Sequence, residues 1–592
     1  MSKDKSYIPE YPEELRQYAP EELTEIAKAL RTTIIETLSQ GEGHLGSSLG
    51  TVELTLALHY VFSTPDDILI WDVGHQAYSH KLLTGRKNTF GSLRQYKGIS
   101  GFPSRAENRF DAFGTGHAGT SISAALGMAL SRQAQNSNQH HIAVVGDASI
   151  VNGMAFEALN HLGTTTANVL VILNDNTMGI DPSVGALKSY FESVKKDAPS
   201  TPNFFKSLNL EYTGPVDGHD IPKLLSALSE QKEKKGPRVL HIVTKKGKGL
   251  PTAEDQQITY HAPGKFDPLT GKQSPPGQQP KIKYQEVFGK TLLELVKRNS
   301  KIMVITPAMP TGSGLVECIE QFPERCFDVG IAEQHAVTLA AGMAAADRLP
   351  FCVIYSTFLQ RAYDQIIHDV ALQNLAVVFC IDRAGLVGHD GPTHHGVFDI
   401  SYLRGIPNLH LIAPRNAKEL QNILFTIQKG IIGPVAVRFP RGYSELEHVD
   451  TTFELLSWGK GLQLKEGSTL ALISVGNLAK NVSLALEKRL DAEEIAHYDL
   501  RFIKPLDTAL LHSIFNSYKG VMCVEEGTIK GGAGSAILEF AAENGYTLPV
   551  ELVGVPDQFV PHGNYATLTA ELGLDPEGIS KRIDRFRNKI TG

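Results

Sequence analysis

Short runs of β-branched and other apolar residues recur along the chain, and stretches with helical periodicity lie between or beside them. HIAVVGD at 141–147, NVLVILND at 168–175 and RVLHIVTKK at 238–246 are apolar at consecutive rather than alternate positions. That pattern predicts strands buried on both faces. GMAFEALNHLG at 153–163 has the periodicity of a helix lying between two of them. A second series follows with KIMVITPAM, FDVGIAEQ, FCVIYSTF, LAVVFCID, LHLIAPR and VAVRFPRG, and a third begins near Thr469 with TLALISVGN, GVMCVEEG and LPVELVGV. The fold class expected is α/β, with three domains of mainly parallel sheets flanked by helices. Residues 262–283 hold five prolines and three glycines without apolar periodicity, the composition of a linker. The boundaries expected are 1–265, a linker at 266–283, 284–450 and 451–592. There is no short internal repeat, which argues against a solenoid.

Composition narrows the class. The 592 residues are 42% hydrophobic and 20% charged, with 57 Lys plus Arg against 64 Asp plus Glu, a net charge of −7. These are values of an ordinary globular protein, and a mildly acidic chain is a poor nonspecific binder of nucleic acid or anionic membrane. Apolar runs such as Leu375 to Ile381 are far too short to span a bilayer. The opening MSKDKSYIPEYPEELRQ has neither the apolar stretch of a signal peptide nor the bias of a transit peptide. The five cysteines are scattered, with no C-x-x-C pair, so a disulfide framework and structural zinc are both unexpected. The expected location is the cytoplasm.

The polar residues that interrupt the strands carry the chemistry. Asp147 follows one strand and Asn174–Asn176 the next, with a single helix between. A right-handed crossover brings both to the carboxyl ends of parallel strands, where open α/β sheets bind ligands. A carboxylate, the Asn176 amide oxygen and the Met178 carbonyl suit Mg²⁺, a hard ion that prefers oxygen. So few protein charges suggest a metal that also bridges to a diphosphate. Three glycine–histidine pairs, Gly43-His44, Gly74-His75 and Gly116-His117, combine close backbone approach with an imidazole. Glu333 lies at a strand-to-helix junction among small and apolar residues, where burial raises a carboxyl pKa. Helix-dipole capping is the plainer role for an acid there. Phe358 and Arg361 follow in YSTFLQRAYDQ. Arg383 and Arg441, with Asp390 and His394 in the loop between them, suggest a phosphate or carboxylate site. Gly531, Gly532 and Gly534 do not make the G-x-G-x-x-G pattern and predict only a turn and a helix start.

Taken together, WDVGHQAY, GHAGTSIS, GMAFEALNH, GPVDGHD, TKKGKG, DVGIAEQHAVT, YSTFLQRAYDQ, DRAG-x-VG-x-DG-x-TH, FPRG and RFIKPLD resemble the 1-deoxy-D-xylulose-5-phosphate synthases, thiamine-diphosphate enzymes related to transketolase. The resemblance runs nearly end to end. It implies a transketolase-like fold in which domain one binds the diphosphate and domain two the aminopyrimidine. Asp147, Asn176 and the Met178 carbonyl would hold Mg²⁺. His75, Gly116, His117, Ala118, Ala148, Ser149, Asn176 and Leu250 would line the cofactor, Phe358 would stack on its pyrimidine, and Glu333 would hydrogen-bond the pyrimidine nitrogen. Pyruvate would lose CO₂, and the remaining two-carbon unit would join D-glyceraldehyde 3-phosphate, feeding isoprenoid precursor, thiamine and pyridoxal synthesis. Tyr355, Arg361, Arg383 and Arg441 would bind substrate. His44, His261 and His394 would orient it or move protons, and Arg94 with Asp390 would form a gating pair. A homodimer is also implied, and no nucleic-acid or membrane partner. Transketolase itself and the first component of the 2-oxoacid dehydrogenases are the nearest alternatives, and DRAG-x-VG-x-DG-x-TH favours the synthases.

Two departures stand out. The family's Gly-Asp-Gly reads Gly146-Asp147-Ala148 here, and alanine disfavours positive φ, so a slightly different loop is expected. The stretch from Gly185 to Gly214 is several dozen residues shorter than in most of the family.

Overall fold

The computed structural model describes residues 7–135, 137–196, 202–273, 281–430 and 433–591. The chain divides into two compact units: Met1–Gly277 with Gly330–Ala332, and Gln278–Val329 with Glu333–Gly592. The first unit is built on strands β1 (Ile68–Trp71), β2 (His141–Gly146), β3 (Val169–Asp175), β4 (Glu211–Asp217) and β5 (Arg238–Val243). They lie in the order β1-β2-β3-β5-β4, all parallel. The continuous apolar runs follow from cover on both faces. Ile70, Ala143, Val145, Val171 and Leu173 point to one core, with helices Ser121–Gln133 and Gly153–Leu162. Leu69, Trp71, Ile142, Val144, Leu170 and Ile172 point to the other, with helices Val52–Val61 and Ile221–Glu233. Each fully buried Leu, Ile or Val is worth about 1.5–3 kcal/mol. The strand β3 is therefore held from two sides, and each of its residues is buried.

The second unit contains two sheets. The first comprises β6 (Ile302–Thr306), β7 (Cys326–Asp328), β8 (Leu349–Tyr355), β9 (Val378–Ala384), β10 (His410–Ile412) and β11 (Val435–Pro440). The next comprises β12 (Leu462–Lys465), β13 (Leu470–Ser474), β14 (Ile495–Asp499), β16 (Gly520–Thr528) and β17 (Val550–Val555). Between β14 and β16 in sequence, β15 (Phe502–Lys504) leaves its neighbours and pairs antiparallel with β10. The orders are β15-β10-β11-β9-β8-β6-β7 and β12-β14-β13-β16-β17. Apart from β15 and the antiparallel edge strand β12, pairing is parallel throughout.

The two sheets share one core: Ile354, Phe379 and Ile381 belong to the same apolar cluster as Ile473, Tyr498 and Val521. For this reason the second and third domains expected from sequence form a single unit. Apolar patterning marks each sheet, but it does not show which outer faces are shared.

The linker also differs from expectation. Phe266 is buried in the first unit's core, and its backbone N–H donates to Ser39 O at 3.1 Å. Asp267 N–H to Lys272 O at 2.8 Å closes the turn that follows, and the Tyr260 hydroxyl reaches Gly271 O. One aromatic side chain thus fastens a proline- and glycine-rich segment to the domain. The remainder of the expected linker, residues 274–280, lies outside the described residues, as do 197–201 of the shortened 185–214 stretch. Among the described residues no helix is long and apolar enough to cross a membrane.

Phe266→Ala is expected to cost about 3–5 kcal/mol, the range for a buried Phe emptied to Ala. Leu269→Ala, at a side chain 91% exposed, should stay within about 0.5 kcal/mol. Denaturant unfolding of the two variants checks this, and equal effects would restore the segment to a passive linker.

Candidate active site

In the first unit the polar cluster stands at the carboxyl ends of β2 and β3. These strands are in register, with Gly146 opposite Asn174, so Asp147 and Asn176 leave the sheet side by side. The Asp147 carboxylate is buried and accepts from Asn176 N–H at 3.3 Å and from Ser183 Oγ at 2.8 Å. Burial, then the neighbouring Asp175 carboxylate, push its pKa up to about 7 against those two hydrogen bonds. Asp175 is neutralised by Lys195 at 2.9 Å and hydrogen-bonded to His241 at 3.1 Å, and it remains below the usual carboxylate range despite burial. Among the described residues Asp147 has no comparable cation bonded to it.

The loop beyond Asn176 is knotted over this carboxylate. Met178 N–H donates to Asn176 Oδ1 at 3.0 Å, Ser183 N–H to Thr177 O at 3.2 Å, and Thr177 adopts a φ of 61°. Lys246, almost wholly buried, donates to Gly179 O at 2.6 Å; burial lowers its pKa to about 8, and Asp181 and Asp147 resist that shift. Ala148, where a positive φ was the concern, does not fall in the positive-φ region. Its methyl instead faces Gly179, where an added Cβ would come within 3.2 Å of it. The Ala148 substitution is therefore accommodated without backbone strain. Ser149 is buried beside it, its N–H donating to Gly146 O at 2.9 Å.

The glycine–histidine pairs are brought together by a residue that sequence reasoning missed. Asp72, fully buried, accepts from Gly119 N–H at 2.8 Å and Ser121 N–H at 3.0 Å. It thereby ties the Gly116-His117-Ala118 turn to the loop carrying His75. That loop doubles back at Gly74, whose φ is +84° and where a Cβ would sit 2.4 Å from Pro103. His75 keeps a buried Nδ1 with no hydrogen-bond partner, and burial followed by Lys246 lowers its pKa to about 3, so the ring is neutral. His44, His75 and His261 form a triangle with ring centroids 5.9, 5.2 and 6.1 Å apart. Arg94, left-handed at φ 62°, approaches His44 Nδ1 at 3.3 Å and lies 5.8 Å over the Phe102 ring. Leu250 is buried and starts the short helix Pro251–Asp255. Both missed residues, Asp72 and Lys246, sit inside the quoted motifs WDVGHQAY and TKKGKG, as charges embedded in glycine-bearing loops after strands.

The second unit gathers the remaining candidates at the carboxyl ends of β7, β8, β9 and β11. Glu333 opens the helix Glu333–Ala345 and is 3% exposed. Among the described residues its Oε2 is buried without a hydrogen-bond partner, and a cation, Arg361 Nη1, stands 3.7 Å away. Burial raises its pKa and Arg361 opposes the rise. Arg361 is thus found beside the acid, on the helical turn after Phe358. Tyr355 and Phe358 stack with centroids 5.6 Å apart and planes 11° from parallel, and His394 meets Phe358 edge-on at 5.6 Å. Arg383 Cζ lies 3.7 Å over the Tyr355 ring and Nη1 donates to Gly312 O at 3.3 Å. Burial, then the nearby Arg441, lower the Arg383 pKa to about 9, with Asp390 opposing. Arg441 donates to Val387 O at 2.7 Å and faces Asp390 at 3.7 Å. The Thr393 hydroxyl touches His394 Nδ1 at 2.8 Å.

Among the described residues each half is left with an imbalance: a buried carboxylate with no cation bonded to it, a carboxyl oxygen with no donor, and a guanidinium, Arg383, whose charge Arg441 disfavours although Asp382 lies at 3.4 Å. Comparison with known proteins follows the same division. Residues 8–201 and 191–244 match the description of 1-deoxy-D-xylulose-5-phosphate synthase, residues 280–445 the pyrimidine-binding domain of transketolase, and residues 459–579 its C-terminal domain. The first match comes in two pieces that meet inside the 185–214 stretch.

The fold and these domains define a transketolase-type, thiamine-diphosphate-dependent transferase. A 1-deoxy-D-xylulose-5-phosphate synthase of Cytophaga hutchinsonii is 48% identical over 97% of this chain and 96% of its own. One of Bacteroides fragilis is 47% identical over 98% of this chain and 96% of its own. The chain belongs to the 1-deoxy-D-xylulose-5-phosphate synthase family. Among solved structures, a transketolase from Campylobacter jejuni subsp. jejuni aligns over 94% of this chain and 98% of its own at 18% identity and a TM-score of 0.43, too loosely to bear on the site.

The residues present fit the cofactor this class uses. Glu333 Oε2 lacks the donor that an aminopyrimidine nitrogen carrying a proton would supply. Asp147 and the Asn176 amide offer oxygens to a hard cation, and Asp147 lacks a bonded counter-charge. Lys246→Met removes the bond that pins the loop carrying Asn176 and Met178. It is expected to weaken thiamine diphosphate binding in Mg²⁺ about 10- to 100-fold, the worth of one charge-assisted hydrogen bond. Titration by intrinsic fluorescence measures it, and an unchanged Kd would separate that loop from cofactor affinity.

Proposed function

We propose that the chain condenses pyruvate with D-glyceraldehyde 3-phosphate, releasing CO₂, to form 1-deoxy-D-xylulose 5-phosphate. The relatives carry that synthase's name over nearly their whole length, and the chemistry of each half supports the reading. The first unit supplies the diphosphate half. Asp147, Asn176 and the Met178 carbonyl hold Mg²⁺, and His75, Gly116, His117, Ala118, Ala148, Ser149 and Leu250 line the diphosphate and the thiazolium ring. The second unit supplies the pyrimidine half, with Phe358 against the ring and Glu333 on its nitrogen. The three-domain division at 265, 284 and 450 belongs to the same proposal, with the second and third domains docked as one unit. So do a homodimeric assembly, a cytoplasmic location and a product that feeds isoprenoid precursor, thiamine and pyridoxal synthesis.

The single observation that carries the reading is the unpartnered Oε2 of Glu333. A carboxyl whose pKa is raised by burial can share a proton with a heteroaromatic nitrogen near neutral pH, whereas an exposed one would ionise and release it. Arg361, 3.7 Å away, limits that rise, so its role is to tune the acid as much as to meet substrate. When bound, thiamine diphosphate supplies the carbon nucleophile and the electron sink for decarboxylation. The other work is the chain's own. His75 presents a neutral ring to the reacting groups, with the His44 and His261 rings packed beside it. Arg383, whose charge the nearby Arg441 disfavours, and Arg441 itself would both gain from a dianionic phosphate placed between them. Tyr355 holds Arg383 flat through its ring, and Asp390 and His394 face the aldehyde's hydroxyl groups. Arg94 with Asp390 is the candidate gating pair.

Incubation with pyruvate and D-glyceraldehyde 3-phosphate is expected to release CO₂ and yield the five-carbon ketose phosphate. Product should disappear on chelation of Mg²⁺ or omission of thiamine diphosphate. Ketose-to-aldose exchange without CO₂ would assign the chain transketolase chemistry instead. Glu333→Ala should retain Mg²⁺-dependent cofactor binding while losing about 10²- to 10⁴-fold in turnover, the usual share of an acid–base group. Full turnover in that variant would remove Glu333 from the reaction.

A further inference from the structure

The loop from Gly385 to Gly396, GLVGHDGPTHHG, carries Asp390 and His394. Its base is closed by reciprocal backbone bonds between Gly385 and Gly396, both 2.7 Å. Above that base, the second sheet contributes Arg441 to Val387 O at 2.7 Å and the Thr357 hydroxyl to Thr393 O at 3.0 Å. A larger set of holds comes from the third sheet. Glu526, near the carboxyl end of β16 and 1% exposed, accepts Leu386 N–H on Oε1 at 3.0 Å. Its Oε2 accepts Asn477 Nδ2 at 2.6 Å, and Asn477 immediately precedes the helix Leu478–Glu487. Gly385 turns at φ +79°, and a Cβ there would lie 2.7 Å from the Glu526 carboxyl carbon, so the loop backbone rests directly on the acid.

Further along, Gly563 N–H donates to Gly388 O at 3.3 Å and His395 Nε2–H to Pro561 O at 3.2 Å, while His395 Nδ1 accepts Val387 N–H at 3.1 Å. That pair of bonds fixes the His395 tautomer, with the proton on Nε2. Behind the loop, Arg438 joins Asp399 at 3.0 Å and Glu526 O at 3.3 Å, binding the two sheets together.

We propose that Glu526 is a positioning residue for the acceptor aldehyde: through Leu386 it holds the loop on which Asp390 and His394 meet the phosphorylated substrate. This rests on the reading of that loop, with Arg383 and Arg441, as the acceptor site. The third domain, which contributes no predicted site residue, then acts on the reaction by fixing one loop of the second. Glu526 suits the task because it offers two acceptor oxygens, one to each side. A buried carboxyl that serves a backbone N–H and a side-chain amide together couples the loop to the third domain's framework.

The test exploits that acceptor count. Glu526→Gln keeps the shape but leaves one acceptor oxygen, so Leu386 N–H is served only if the new NH2 faces Asn477 and Tyr565, whose polar groups must then turn to accept it. The KM for D-glyceraldehyde 3-phosphate is expected to rise about tenfold, the worth of one such bond. The KM for pyruvate and the Kd for thiamine diphosphate should stay within about twofold, as Asp390 and His394 are assigned to the aldehyde and the cofactor-lining residues lie outside the loop. Adding Asn477→Asp restores a donor–acceptor match and should return the aldehyde KM to within about twofold of wild type. Arg441→Ala is the control for the underlying reading. An aldehyde KM unchanged in Arg441→Ala would overturn the acceptor-site assignment itself. A KM raised in Arg441→Ala but unchanged in Glu526→Gln would overturn only the role of Glu526. Equal rises for pyruvate and aldehyde, not rescued by the double variant, would reduce Glu526 to domain packing.

Discussion

A carboxyl oxygen buried without a hydrogen-bond donor costs about 1–3 kcal/mol, and Glu333 bears that cost at the first turn of a helix whose other buried residues are apolar. Arg361 at 3.7 Å eases it electrostatically without closing a hydrogen bond of normal length. The same kind of incompleteness recurs at Asp147, whose carboxylate is raised by burial and by Asp175, and at Arg383, disfavoured by Arg441. At Glu333 and Asp147 the missing complement has a definite polarity, a donor and a cation, whereas Arg383 and Arg441 are each met by one carboxylate, Asp382 at 3.4 Å and Asp390 at 3.7 Å. Under the proposed function, thiamine diphosphate and its metal would supply the donor and the cation, and a phosphorylated aldehyde would bring further negative charge to the two guanidinium groups.

Holding incomplete groups in place takes a rigid surround. Parallel strands buried on both faces provide it, because their carboxyl ends are fixed by cores that the site does not share. Asp72 extends that rigidity into the loops by accepting two backbone N–H groups that would otherwise be orphaned at the start of the helix Ser121–Gln133. Lys195 does similar work behind the site, neutralising Asp175, which His241 also hydrogen-bonds, so that Asp147 is the carboxylate left in need of a counter-charge. In the second unit the shared core between its sheets does this at larger scale, and β15 stitches the second sheet to chain that belongs in sequence to the third.

Much of this was legible in the residues. The consecutive apolar positions at 141–146 and 169–173 identify doubly covered strands, and the polar residues ending them identify the edge where ligands bind. Glu333, Asp147, Asn176, Phe358 and the Arg383–Arg441 pair stand out as polar or aromatic groups at strand ends, and the family motifs sharpen their expected roles. Asp72 and Lys246 lay in plain view inside quoted motifs, yet a charge beside glycine reads equally well as an exposed loop residue. Only their burial shows otherwise. Phe266 was assigned to a linker because proline and glycine dominate its surroundings, and one aromatic side chain outweighed them.

What the sequence determined by itself is the period and punctuation of the chain: which segments are strands, where they end, and which side chains stand at those ends. These are local properties, set by hydrophobic spacing and by the residues that turn the backbone. Tertiary structure alone decided which groups go unbalanced. The solitary state of Glu333 Oε2, the neutrality of His75 and the mutual repulsion of Arg383 and Arg441 depend on desolvation by residues distant in sequence. So does the hold of Glu526 on Leu386, a contact across 140 positions. Electrostatic free energy depends on the whole surround in three dimensions, and no window along a chain contains it.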